Sequence, residues 1–435
     1  MMKKMLFVNL ALLSLSVLAE PAQLKLVGDF DVEVAYNGKK GIVRIEQPSP
    51  FVVANERHAA LADYRPNAGG WMRGTKPVGI TAQECTTRNA LKVETLKVKS
   101  SDQADAVIYE NGKDYQLTPD WGTVGRLPNG RIQPNQPVYF DYTYVKLRID
   151  AIVQTKDGAF AVRTGVPHQA NPSQAELLDG DTRLANIWIN GCIPKLTDEN
   201  LLPILETEFP KDLRPAPHAA EKLIPKTYAK LKNGEKVKIL AWGDSVTVGT
   251  FVPDWQHNRW QNQFVERLQK LFPQAEIELV TEAWGGYNTA SYLAQPAGQI
   301  HNYNETVLAV KPDLVISEFV NDAGLNEQTV YERYGKFLND FTAIGAEWII
   351  LTPHYVRPDW MGLTSEKNID NDPRPYVVAL RKFAKEKNIA LADAAMRYGR
   401  LWRQGIPYSS LMMNAINHPN TFGMKQFADA LIDLF

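Results

Sequence analysis

Two cysteines in 435 residues exclude a disulfide-built scaffold and a four-thiolate zinc site. The chain also lacks an excess of either charge: 48 Lys+Arg stand against 49 Asp+Glu, a formal net charge of -1. A nucleic-acid binder carries a basic excess, so that class of partner is excluded. Disorder is excluded too, since it needs low hydrophobicity with high net charge and 44% of this chain is hydrophobic. No internal repeat or low-complexity tract is present. There is no His-Glu-x-x-His pair, no Gly-x-x-x-x-Gly-Lys-Ser/Thr loop and no Gly-x-Gly-x-x-Gly turn, so neither a metal nor a cofactor is expected. The apolar run from Met5 to Val17 falls well short of the ~20 residues that span a bilayer, which argues against a membrane span.

That run follows Lys3 and Lys4 and ends at Val17-Leu18-Ala19. A positive segment, an apolar segment and small residues in this order predict a cleaved signal peptide over residues 1–19. The mature chain would begin at Glu20 in the periplasm or outside the cell. No cysteine stands at the cleavage point, so no lipid attachment is expected there. Export would allow Cys85 and Cys192 to pair, and the sequence leaves open a disulfide or two buried thiols.

At ~150 residues per domain the chain should hold two domains, or three. Residues 20–195 read as an all-β, sandwich-like domain. Asp29 to Tyr36 largely alternates polar and apolar and leads into the hairpin signal Asn37-Gly38. Val138 to Val153 is rich in the β-branched and aromatic residues of strands, with Lys156-Asp157-Gly158 turning the chain into Ala159–Val162. Residues 196–235, with six prolines between Pro194 and Pro225, read as a linker and a leading helix. From 236 to 435, short apolar strands such as Val237–Trp242, Leu314–Val320 and Trp348–Leu351 alternate with helical patterns such as Trp260–Leu271 and Pro375–Lys387. That alternation predicts a parallel sheet covered on both faces, a three-layer α/β/α domain. The β domain is expected to fold by itself and to help engage substrate rather than take part in chemistry.

Gly243-Asp244-Ser245 follows the first strand of the second domain, at the sheet edge where open α/β sheets bind ligands. A serine there can act as a nucleophile if a base takes its proton and donors hold the oxyanion. It is not the Gly-x-Ser-x-Gly elbow, because the second glycine is missing. Trp284-Gly285-Gly286-Tyr287-Asn288-Thr289 lies after the second strand, Asn321-Asp322 after the third, and Asn417-His418-Pro419 before the last helix. In this order the four segments resemble the SGNH (GDSL-type) hydrolase superfamily, over roughly Val237 to Phe435.

The resemblance implies Ser245 as nucleophile and His418 as general base. It implies an oxyanion hole made by the N–H groups of Ser245 and Gly286 and the side-chain amide of Asn321, with Gly285 the fallback for Gly286. Two positions depart from the family pattern. Phe319 stands where a glycine is usual, and Ala415 occupies the usual acid position three residues before the histidine. Three answers to the second departure stay open. A remote carboxylate such as Glu282 or Glu318 could orient His418; a backbone carbonyl could, in a Ser–His dyad, which is the favoured expectation; or catalysis is weak.

Seven of ten tryptophans lie in the second domain, and Trp284, Tyr287, Tyr355 and Trp360 are the candidate substrate contacts. An exported esterase with a separate β domain resembles carbohydrate acetylesterases, so an acylated carbohydrate is the expected substrate. The alternatives are a lipase- or thioesterase-type acylhydrolase, an acyltransferase, and a catalytically weak carbohydrate-binding protein.

Overall fold

The computed structural model describes residues 20–435, so the expected signal segment lies outside the described residues. In the second domain five strands form one wholly parallel sheet. Its order is Glu276–Ala283, Lys236–Gly243, Leu314–Glu318, Glu347–Leu351, Ala390–Ala392. In chain order this is 2-1-3-4-5, so the topological switch point falls between the first and third strands. A parallel sheet needs apolar residues on both faces. Ile239, Leu240, Ala241, Val315, Ile316 and Ile349 supply them and are fully buried.

Helix Trp260–Leu271, which carries the chain leftward to the second strand, packs with the last helix, Thr421–Ile432. Helices Glu327–Ala343 and Pro375–Lys387, which carry it rightward, pack together. Right-handed crossovers in opposite directions put the two pairs on opposite faces of the sheet. The expected three-layer α/β/α architecture is therefore present, preceded by an all-β region.

In the β region the Asn37-Gly38 turn joins Asp31–Tyr36 to Lys39–Arg44, with both turn residues in the left-handed region that a two-residue hairpin demands. The strand-rich stretch Val138–Val153 forms two strands in two sheets, Val138–Tyr144 and Arg148–Gln154. The chain leaves one sheet at Val145 and enters the other at Arg148. Alternating composition alone does not reveal such a crossing. Two separate β cores result, one around Val98, Val138 and Phe140, the other around Val32, Ile152 and Ile187. Leu201–Pro203, in the segment read as a linker, adds an edge strand to the second of these sheets.

The β region packs directly against the second domain. Leu147, Ile149, Trp188 and Leu202 belong to the same continuous buried cluster as Ile239, Trp242 and Val315. The Asn186 side chain donates to the Gly405 carbonyl at 2.7 Å, and Leu205 N–H to the Arg403 carbonyl at 2.7 Å. A second, smaller apolar contact joins Cys85 and Trp121 of the β region to Ile416, two residues before His418.

Candidate active site

The first strand ends at Gly243 and the chain turns at once into a short helix, Ser245–Val248. Asp244 caps that turn. Its Oδ1 accepts from Val246 N–H at 3.0 Å and its Oδ2 from Asn321 N–H at 2.9 Å, so one carboxyl group fastens the serine turn to the asparagine turn. Asp322 does the same for the second segment, accepting from the N–H and hydroxyl of Thr289 at 3.2 and 2.9 Å and from Tyr334 at 3.1 Å.

These carboxyl groups lie below the sheet edge, out of water. Burial, with the charge of Asp322 adding to it, pushes Asp244 up to about 7. Burial and the charge of Asp244 push Glu318 well above the ordinary carboxylate range. Asp322 is raised by burial against the opposing pull of its Thr289 hydrogen bonds and of Arg333.

Above them Ser245, Gly285, Gly286, Asn321 and His418 line one cavity of about 340 Å³. Gly286 has φ +81°, a conformation that strains any residue with a Cβ. Ser245 N–H heads the short helix, where backbone donors have no intrahelical acceptor. The Asn321 amide donates one hydrogen to the Tyr287 carbonyl at 3.1 Å and keeps its second for the cavity. Phe319, in the place of a glycine usual in the superfamily, is buried edge-on against Trp242 at 4.8 Å.

His418 is 9% exposed and lies edge-to-face against Phe251 at 5.3 Å. Among the described residues its Nε2 has no hydrogen-bond partner, Ser245 included. Such contacts often run long without substrate and tighten when it binds. The loop that carries His418 is a tight turn. Asn414 Oδ1 accepts from the N–H groups of Ile416, Asn417 and His418 at 3.1, 2.9 and 3.0 Å, and Ala415 at the tip has φ +61°. A hydroxyl, an imidazole and three N–H donors in one cavity are the groups acyl transfer through a tetrahedral intermediate requires.

The expected partners of His418 are corrected. Glu282 pairs with His301 Nδ1 at 2.5 Å, and Glu318 Oε2 accepts from the Thr247 hydroxyl at 3.4 Å beneath the serine turn. No backbone carbonyl meets His418 Nδ1 among the described residues either. Its neighbours are the Asn414 amide nitrogen at 2.7 Å and Glu84 Oε1 at 3.6 Å. Glu84 comes from the β region, 330 positions from Asn414. No local spacing could have pointed to it, and the same holds for Trp71, which also lines the cavity.

Cys85 and Cys192 are both free. Cys85 lies in the cavity wall, its thiol pushed up to about 12 by burial and then by the charge of Glu84. Of the aromatic candidates, Trp360 lines the cavity. Tyr355 is corrected to a core residue: it is fully buried and donates its hydroxyl to the Ile369 carbonyl at 2.8 Å. Trp284 stacks between Tyr287 at 3.8 Å and His301 at 4.8 Å, and neither Trp284 nor Tyr287 lines the cavity.

No curated protein matches the chain. Among solved structures it is similar to a two-domain esterase (CEX) active on acetylated mannans, at 19% identity and a TM-score of 0.39. That match covers 49% of this chain and 52% of the esterase, so the chain spans about half the esterase's length. It is similar to a variant of Axe2, an acetyl xylan esterase from Geobacillus stearothermophilus, at 19% identity and a TM-score of 0.35, over 46% of this chain and 94% of that one. It is also similar to the acetyl xylan esterase AlAXEase, at 19% identity and a TM-score of 0.36, over 45% of this chain and 98% of that one. At such identities and scores these likenesses say nothing of what this chain binds. The GDSL-like Lipase/Acylhydrolase family matches residues 241–426, the stretch that holds Ser245, Gly286, Asn321 and His418. Residues 241–426 therefore form a GDSL-like lipase/acylhydrolase domain.

Proposed function

We propose that this protein is an exported serine esterase that removes short acyl groups, acetyl above all, from a carbohydrate. The observation that carries the reading is the meeting of Ser245, Gly286, Asn321 and His418, from four separate segments, on one cavity.

Ser245 Oγ attacks the ester carbonyl while His418 Nε2 takes the hydroxyl proton. The N–H groups of Ser245 and Gly286 and the Asn321 amide hold the oxyanion. Collapse of the tetrahedral intermediate expels the sugar alkoxide, which takes the proton from His418 and leaves an acyl-serine. Water then repeats the sequence, giving its proton to His418 and releasing the acid.

The size and rim of the cavity support the substrate class. A volume of about 340 Å³ sits at the lower end for ligand pockets and suits a short acyl group. Trp71 and Trp360 flank it with ring centroids 5.5 Å apart, and the Arg357 guanidinium lies 5.4 Å from the first and 4.9 Å from the second. Flat rings beside hydrogen-bonding groups suit the apolar face and hydroxyl edge of a sugar.

The test is acetate release from a panel of acetylated polysaccharides by wild type and Ser245→Ala. Wild type should release acetate and the variant should retain less than about a thousandth of that rate, the scale of nucleophile loss in serine hydrolases. Equal release by both proteins, or release by neither together with cleavage of long-chain esters, would overturn the reading.

A further inference from the structure

We propose that Glu84, presented by a hairpin of the β region, is the carboxylate that orients His418 and offsets the charge it gains. The inference rests on the reading of His418 as the general base.

The hairpin pairs Thr81–Ala82 with Cys85–Thr86 and leaves Gln83 and Glu84 as a two-residue tip. Gln83 has φ +56°, an unfavourable conformation for a side chain of its kind. Strain of this sort is kept where the surroundings fix it, and functional sites are where it gathers. Cys85, packed with Trp121 and Ile416, holds the tip against the histidine loop, and within the β region the Lys76 ammonium donates to the Glu84 carbonyl.

The hydrogens around Asn414 link the protonation of His418 to Glu84. Asn414 Oδ1 accepts three backbone N–H groups, which fixes the orientation of its amide. The amide nitrogen has two hydrogens. Glu84 Oε1 at 2.8 Å, Asn417 Oδ1 at 2.9 Å and His418 Nδ1 at 2.7 Å share those two hydrogens. When Glu84 and Asn417 hold both, His418 Nδ1 carries its own hydrogen, and Glu84 Oε1 at 3.6 Å is the anion beside it.

With Nδ1 protonated, the Nε2 lone pair is free to take a proton from Ser245. The opposite tautomer could not act as a base. Burial raises Glu84, but contacts with His418 and Asn414 outweigh it and hold the carboxylate below its ordinary range. The acid that Ala415 does not supply thus arrives from the other domain.

The test uses the full chain with Glu84→Gln. On p-nitrophenyl acetate kcat should fall at least about a hundredfold, towards the ~10⁴ of a wrong-tautomer loss, with KM within about twofold. In ¹⁵N NMR the His418 ring should be the Nδ1–H tautomer in wild type and shift towards Nε2–H in the variant. Glu84→Asp, which keeps the charge, should recover at least about tenfold over Glu84→Gln even if the amide variant folds poorly.

A kcat for folded Glu84→Gln within about tenfold of wild type, or Nε2–H in wild type, would overturn the proposal. So would an aspartate variant no better than the glutamine one. Failure of the esterase reading looks different: Ser245→Ala would stay active, while the tautomer signature would still report whether Glu84 governs His418.

Discussion

Replacing Gly243 with alanine tests how the serine turn is built. The position is not in the left-handed region, so space rather than dihedral angle calls for glycine there. A Cβ would lie 2.1 Å from the Thr247 hydroxyl and 2.5 Å from the Glu318 carbonyl oxygen. Thr247 is held in place by Trp260 Nε1, which donates to its hydroxyl at 3.2 Å. The Glu318 carbonyl belongs to the backbone of the adjoining strand, in register with Gly243. Relief therefore means parting two central strands at their ends. Overpacking of this kind costs about 1–3 kcal/mol, and a hydrogen bond lost at Thr247 adds about 1 kcal/mol. The sum is about 3 kcal/mol, readable as a shift of the urea midpoint. Ser245 lies two residues on, and a displacement of about 1 Å there should lower kcat on p-nitrophenyl acetate about a hundredfold in the folded fraction. A variant within about 0.5 kcal/mol of wild type and fully active would refute the steric argument. Gly286 is the opposite case, since a Cβ there meets nothing within 4 Å and only its φ of +81° demands glycine.

Asn321→Ala should lower kcat by ~10²–10³ and leave KM nearly unchanged, because the amide acts on the oxyanion; a loss confined to KM would show that it binds substrate instead. Asp244 has a folded pKa raised to about 7 from 3.8, so its contribution to stability is fully present below pH 3.8 and is lost as pH rises to about 7. Asp244→Asn does not titrate, so urea midpoints taken from pH 4 to 8 should show its deficit against wild type shrinking as pH rises, and a deficit that widens would reverse the sign argued here.

What the sequence made legible follows the range of the interactions involved. Periodic segments declared themselves: the helix expected at Trp260–Leu271 and the one at Pro375–Lys387 have those bounds in the structure. The Ser245, Gly286, Asn321 and His418 segments could be read because each sits beside a strand end or helix start, and topology brings strand ends together. The break at Val145 was not legible, since both strands share one composition and only their sheet partners differ. Tyr355 looked like a sugar platform because an aromatic residue near a motif carries no mark of its burial. Glu84 was hidden most completely, as its meaning depends on a contact between domains.

That contact changes what the β region is for. Ile416 is pinned between the domains and lies two residues from His418, while its carbonyl accepts from Arg357 N–H at 2.9 Å. The loop that carries the base is thus shaped from both sides. A separation of the domains by a few ångströms would leave Ser245, Gly286 and Asn321 in place, because Asp244 and Asp322 fasten them within the second domain. It would take Glu84 away from His418 and remove the wall formed by Trp71. Binding of a small ester depends little on those two, whereas the protonation of His418 depends on Glu84 directly. Docking of the domains should therefore be read in kcat on small esters before it is read in KM. An acid supplied across a domain interface makes the chemistry conditional on the assembled fold, which an aspartate at position 415 would not do.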